Sequence, residues 1–226
     1  MRANNTDKTA GFNGYVAMIT GNYIENVVKT PNSMFGAGIS CELREGSIIS
    51  NNIIKNCTQG INIGHIYNHG YVKVFGNMID NCDFGILNDA VAKKVDITDN
   101  SITNVRDHGI YIIEATSASS YSPDKFVNIA NNTITLAGSH IAENNKISSV
   151  VGIRAYNIGT YSCRISSNYI HDNNDKTSVG IVFRCNAKSS YITIRDNYLS
   201  SCRIGVSQTE GVKSSENGYS LQNNTF

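Results

Sequence analysis

Two carboxylates, Asp89 and Glu114, close two successive stretches of similar pattern, "FGILN" and "HGIYII". If the stretches are neighbouring strands, the carboxyls stand one strand spacing apart plus side-chain reach. That suits glycoside hydrolysis, in which one carboxyl acts as acid and the other as base across roughly 5 to 10 Å. Equivalent stretches carry Asn62, His65, Arg106, Asp107, His108, Tyr111, Arg154, Tyr156 and Arg184. Tyrosine faces stack on pyranose rings, while Arg, Asn, His and carboxylate groups bond hydroxyls. These residues are therefore the expected substrate-binding set, with Asp89 and Glu114 as the expected catalytic pair. "RDHG" puts Arg106, Asp107 and His108 on a rim beside Tyr111 and Glu114. The competing reading leaves the two carboxylates solvated and paired with Arg106 or Lys93, as exposed charges usually are. A lyase would use Arg154 or Arg184 as base and hold calcium between several acids, but no three Asp fall on successive strands. His65 and His69 lie four apart, a ligand spacing only on a helix, and no Cys-x-x-Cys occurs, so no metal or other cofactor is expected.

A repeat must position these residues. "ISNNIIKNCTQGINI", "VFGNMIDNCDFGIL", "ITDNSITNVRDHGIYI" and "IRDNYLSSCRIGVS" share alternating apolar residues up to an Asn, an apolar residue two later, and then Gly-apolar-x-apolar. The marker recurs as Asn22, Asn52, Asn77, Asn100, Asn132, Asn168, Asn197 and Asn224, at spacings from 23 to 36 residues. Such periods indicate solenoids, propellers or arrays. Alternation with period two excludes helical repeats. Propellers want four strands per unit, and leucine-rich repeats want regularly placed Leu, whereas this chain has 29 Ile and 30 Asn. The expected fold is all-β, a right-handed single-stranded parallel β-helix of about seven to eight coils with three short strands each. The first strand of each unit precedes the Asn. The second buries Ile54, Ile79, Ile102, Ile134, Ile170, Leu199 and Phe226. The third follows Gly60, Gly85, Gly109, Gly152, Gly180 or Gly205 and buries Ile61, Ile86, Ile110, Ile153, Ile181 and Val206. The Asn itself is expected to turn the chain, its amide bonding from coil to coil.

From about Asn22 onward this pattern resembles the right-handed parallel β-helices of the pectate-lyase superfamily, whose second turn, between the second and third strands of a coil, carries an Asn ladder. The resemblance implies a scaffold shared by polysaccharide lyases, glycosidases, epimerases and bacteriophage tailspikes. The paired Asp-Asp and Arg-x-Lys signatures of galacturonase-like enzymes are missing, as is the Asp-Pro-His-Asp of alginate epimerases. Function is expected in the loops. The Asn-to-Gly interval is 8 or 9 residues in four units but 16, 20 and 12 after Asn22, Asn132 and Asn168. These insertions and the loops after the third strand flank its outer face and make a trough long enough for a sugar chain.

Composition narrows the partners. A net charge of +1, with 16% charged residues and no like-charge block, gives no reason to expect nucleic acid or an anionic membrane surface as partner. No run approaches the roughly 18 apolar residues that span a bilayer, and residues 1–20 do not read as a signal peptide. Cys57, Cys82 and Cys202 fall five residues after a marker Asn, where Val27 and Val105 stand in other units, so they are expected as reduced core thiols. Residues 1–226 read as one β-helix domain, with 1–20 an atypical leading segment and 219–226 a partial last coil. Both ends read as cut within coils, as in a fragment of a longer chain. The expected function is a β-helix of a phage tailspike or tail appendage that binds, and as a glycoside hydrolase would cleave, bacterial surface polysaccharide. The expected setting is a homotrimer in the virion tail. A secreted microbial lyase or hydrolase, and a purely structural or adhesive β-helix, are the alternatives.

Overall fold

The structure, a computed structural model, describes residues 2–4, 17–30, 36–42, 46–63, 71–88, 94–113, 126–137, 140–141, 147–148, 150–158, 162–174, 177–185, 191–208 and 218–226. These residues build a right-handed parallel β-helix. The strands before each marker Asn, from Ala17–Thr20 to Gly218–Gln222, stack into a first sheet of eight. Those after it, from Tyr23–Glu25 to Tyr198–Ser200, form a second sheet of seven. The strands after the Gly form a third sheet of eight, which Arg2–Asn4 begins by pairing with Ala37–Glu42. Each strand pairs in register with the equivalent strand one coil away, for example Ile86 with Ile61 and Ile110. The long interval after Asn132 contains a departure from parallel pairing, an antiparallel ribbon of His140–Ile141 and Ile147–Ser148. Among the described residues there is no helix, and so none long and apolar enough to cross a membrane.

Inward apolar residues become continuous columns because coil follows coil in register. Ile54, Ile79, Ile102, Ile134, Ile170 and Leu199 form one column and Ile61, Ile86, Ile110, Ile153 and Ile181 another, all buried. Each buried Ile contributes about 2 kcal/mol by leaving water. Phe226 differs. It is 75% exposed, with one coil against it, and its ring lies on Gly205.

The turn chemistry is displaced by one residue from the expectation. Left-handed backbone falls on the residue before each marker, at Gly21, Asn51, Gly76, Asp99, Asn131, Ser167, Asp196 and Asn223. The marker can then point inward, and Asn52, Asn77, Asn100, Asn132, Asn168 and Asn197 are buried. Asn77 illustrates the ladder. Its Nδ2 donates to Asn100 Oδ1 at 2.9 Å and to Ile49 O at 3.0 Å, and its backbone N–H reaches the same Asn100 oxygen at 3.1 Å. Each amide is thus satisfied by its neighbours, which removes the cost of burying it. A second left-handed corner at Asn26, Asn56, Asn81, Asn104 and Ser201 turns the second strand toward the third.

Cys57 and Cys82 occupy the expected inward position, and their thiols donate to Lys55 O at 3.2 Å and Asp80 O at 3.5 Å. Cys41, Cys163 and the half-buried Cys202 are also outside any disulfide. Burial pushes the Cys202 thiol up, against a hydrogen bond from Ser178.

Candidate functional site

The outer face of the third sheet is built from positions counted from the Gly. Side-chain contacts put the residue before the Gly on the same side as the second and fourth residues after it. The first row contains Gln59, Phe84, His108, Val151, Val179 and Ile204. The second contains Asn62, Leu87, Tyr111, Arg154, Val182 and Ser207, and the fourth-residue row contains Ile113, Tyr156 and Arg184.

Flat side chains from these rows stack both between coils and along single strands. Phe84 lies 5.5 Å from His108, ring to ring and nearly parallel at 2°. His108 lies 4.7 Å from Tyr111. The Arg154 guanidinium stands 5.3 Å from the Tyr111 ring and 4.9 Å from the Tyr156 ring, and the Arg184 guanidinium 5.0 Å from Tyr156. Six flat groups from four consecutive coils therefore form one ladder. Cation–π attraction and ring stacking hold it together, with contributions of about 0.5 to 2 kcal/mol per contact.

The polar contacts fix its orientation. Arg154 Nη1 lies 3.2 Å from His108 Nε2. A guanidinium only donates, so Nε2 accepts and a neutral His108 holds its proton on Nδ1. Asp107 Oδ1 is 2.8 Å from that Nδ1 but off the hydrogen-bond line, so the buried nitrogen has no aligned acceptor. Arg184 Nη1 donates to the Tyr156 hydroxyl. Burial pushes the Tyr111 hydroxyl up, against the nearby Arg154 charge.

Of the residues read from sequence, Tyr111, Arg154, Tyr156 and Arg184 come together here, all half-buried. Three others differ from the expected open trough and rim. Asn62 is 3% exposed and donates to Gln59 Oε1 at 2.8 Å, both amides lying on one face. His108 is not on a rim; it opens the strand His108–Ile113 and lies buried in the stack. Arg106 turns back to the previous coil, donating to Asp83 Oδ1 at 2.7 Å and to Asn81 Oδ1. Asp83 is its described carboxylate partner. Asp107 stays half-exposed beside His108. Asp89, Glu114 and His65 lie outside the described residues. By count along the sequence, Asp89 is the fourth residue after Gly85 and Glu114 the fifth after Gly109.

The sequence reading missed Phe84, which heads the ladder, and Val151, Val179 and Val182, a buried apolar cluster separate from the main core. The signal was available, since "FG", "VG", "VG" and "IG" put an apolar residue directly before four of the repeat glycines. Among the described residues no group of three or more His, Cys, Asp or Glu could hold a metal ion. Comparison with known proteins found no matching family model, no matching curated protein and no matching solved structure.

Proposed function

We propose that this chain is a polysaccharide-recognising β-helix of the bacteriophage tailspike or tail-appendage type, its coil similar to that of the pectate-lyase superfamily. Host surface glycan would lie along the outer face of the third sheet. One observation carries the reading: the ladder from Phe84 through His108, Tyr111, Arg154 and Tyr156 to Arg184. A ladder spanning four coils suits a polymer better than a compact ligand, and its rings and guanidiniums supply both stacking faces and hydroxyl donors. Reduced core thiols fit synthesis in a reducing cytoplasm. Assembly of the full-length protein as a homotrimer in the virion tail belongs to the same proposal. Hydrolysis is its enzymatic form, with Asp89 and Glu114 as acid and base.

The test is a glycan array of bacterial capsule, O-antigen and teichoic-acid fragments, with a reducing-end assay on each ligand retained. Binding is expected, weakened at least about 10-fold in Tyr111→Ala and Tyr156→Ala. Reducing ends released by the wild type and lost in Asp89→Asn or Glu114→Gln would assign hydrolysis. An array without ligands would sink the reading and leave a structural or adhesive β-helix.

A further inference from the structure

We infer that the ladder recognises an anionic substituent, so that its ligand is an acidic glycan whose carboxylate or phosphate docks against Arg154 and Arg184. The inference rests on the glycan reading and goes beyond it in naming the chemical class.

Two guanidiniums from adjacent coils lean on one ring, that of Tyr156. Like charges brought this close repel, and a shared anion relieves the repulsion. Their described hydrogen-bond partners are neutral, His108 Nε2 for Arg154 and the Tyr156 hydroxyl for Arg184. Asp107, a described carboxylate beside the ladder, stands by the other ring nitrogen of His108. No described carboxylate forms an ion pair with either arginine. The Nε–H of both is buried without an acceptor.

A half-buried cation held by neutral partners keeps most of its desolvation cost, which an anion in its plane would offset. Stacking on the tyrosines also restricts each guanidinium's orientation. A planar fork held in this way matches two oxygens of a carboxylate or phosphate, and Lys would not reproduce the match. Successive coils lie about 4.8 Å apart, close to the length of one sugar ring. A glycan running along the axis could thus present a charged substituent to each arginine.

The experiment uses the full chain on three matched probe sets: acidic capsular polysaccharides, the same polymers with their carboxyl groups chemically reduced to alcohols, and poly(glycerol phosphate). Binding that is lost on carboxyl reduction identifies a carboxylate, and binding to poly(glycerol phosphate) alone identifies a phosphate. In either case Arg154→Gln and Arg184→Gln are expected to weaken binding at least about 10-fold each, as for a hydrogen bond to a charged group. Arg184→Lys should restore little of the loss. Unchanged melting temperatures of the variants exclude misfolding. Should a Gln variant fail to fold, titrating the wild type with glucuronate, inorganic phosphate and glucose while following the arginine Nε–H resonances by NMR decides the matter. Shifts of Arg154 and Arg184 with the anions alone support the inference. Equal binding of the carboxyl-reduced polymers, or Gln variants that bind like wild type, would overturn the anionic class while leaving glycan recognition standing. Silence on every probe, with a ligand retained elsewhere on the glycan array, would overturn the anionic class alone, and silence on the array as well would overturn both.

Discussion

Asp172 is a charge almost wholly removed from water, at 1% exposure. Burial alone would raise its carboxyl pKa. Hydrogen bonds outweigh burial and hold it below the ordinary carboxylate value. They come from the backbone N–H groups of Asn174, Thr177 and Ser178 and from the hydroxyls of Thr177 and Ser178. The carboxylate closes the 12-residue interval between Asn168 and Gly180 and stands where other coils have a left-handed Asn. Asp172→Asn is expected to cost about 2 to 3 kcal/mol at neutral pH, because an amide cannot accept all of these bonds. A pKa depressed by folding stabilises above its unfolded value, and the contribution disappears as pH falls through the folded one. The wild type should therefore lose stability as pH falls below about 4, and the variant should show less of that slope. Urea midpoints at pH 7 and pH 3 measure both effects, and equal slopes would refute the assignment.

At the scale of the element, the corners and the Gly column impose different demands on the chain. Gly21 has φ +70 with open space around its α-carbon, so it needs the left-handed backbone and nothing more. Asn fills the same corner at Asn51, Asn131 and Asn223, and Gly21→Asn should be close to neutral. Gly85 has no left-handed requirement but is enclosed. A Cβ there would lie 2.5 Å from Gly109 O and 2.6 Å from Ile102 Cγ2. Gly85→Ala must push the third strand away from the next coil and is expected to cost about 1 to 3 kcal/mol. Urea denaturation of the two variants side by side checks the contrast. A Gly85→Ala protein as stable as wild type would mean the coils can slide apart freely.

At the scale of the whole molecule, each coil pairs only with its neighbours, and the apolar columns together run from Ile19 to Leu199. Stability in such a stack is a sum of coil and interface contributions rather than of one global core. Amide hydrogen exchange should accordingly be slowest in Lys94–Thr98 and Ser101–Val105 and faster in Gly218–Gln222, where Leu221 is 48% exposed. Uniform protection along the chain would instead indicate a single cooperative unit.

The repeat of Asn, Gly and alternating Ile was enough to derive the coil, its three strands and the inward set. These are consequences of local periodicity, and parallel stacking copies one coil's solution to the next. The antiparallel ribbon after Asn132 escaped because an insertion follows no period. The left-handed residue escaped because Gly, Asn, Asp and Ser all tolerate that corner and leave no single-letter signature. Tyr111, Arg154, Tyr156 and Arg184 were legible as outward residues by counting from the Gly. That His108 lies inside the stack, that Arg106 turns back to Asp83, and that Phe84 joins the ladder depended on tertiary structure. The close packing of each Gly on the next coil decides which side the preceding residue takes, and that contact exists only once neighbouring coils have closed against one another.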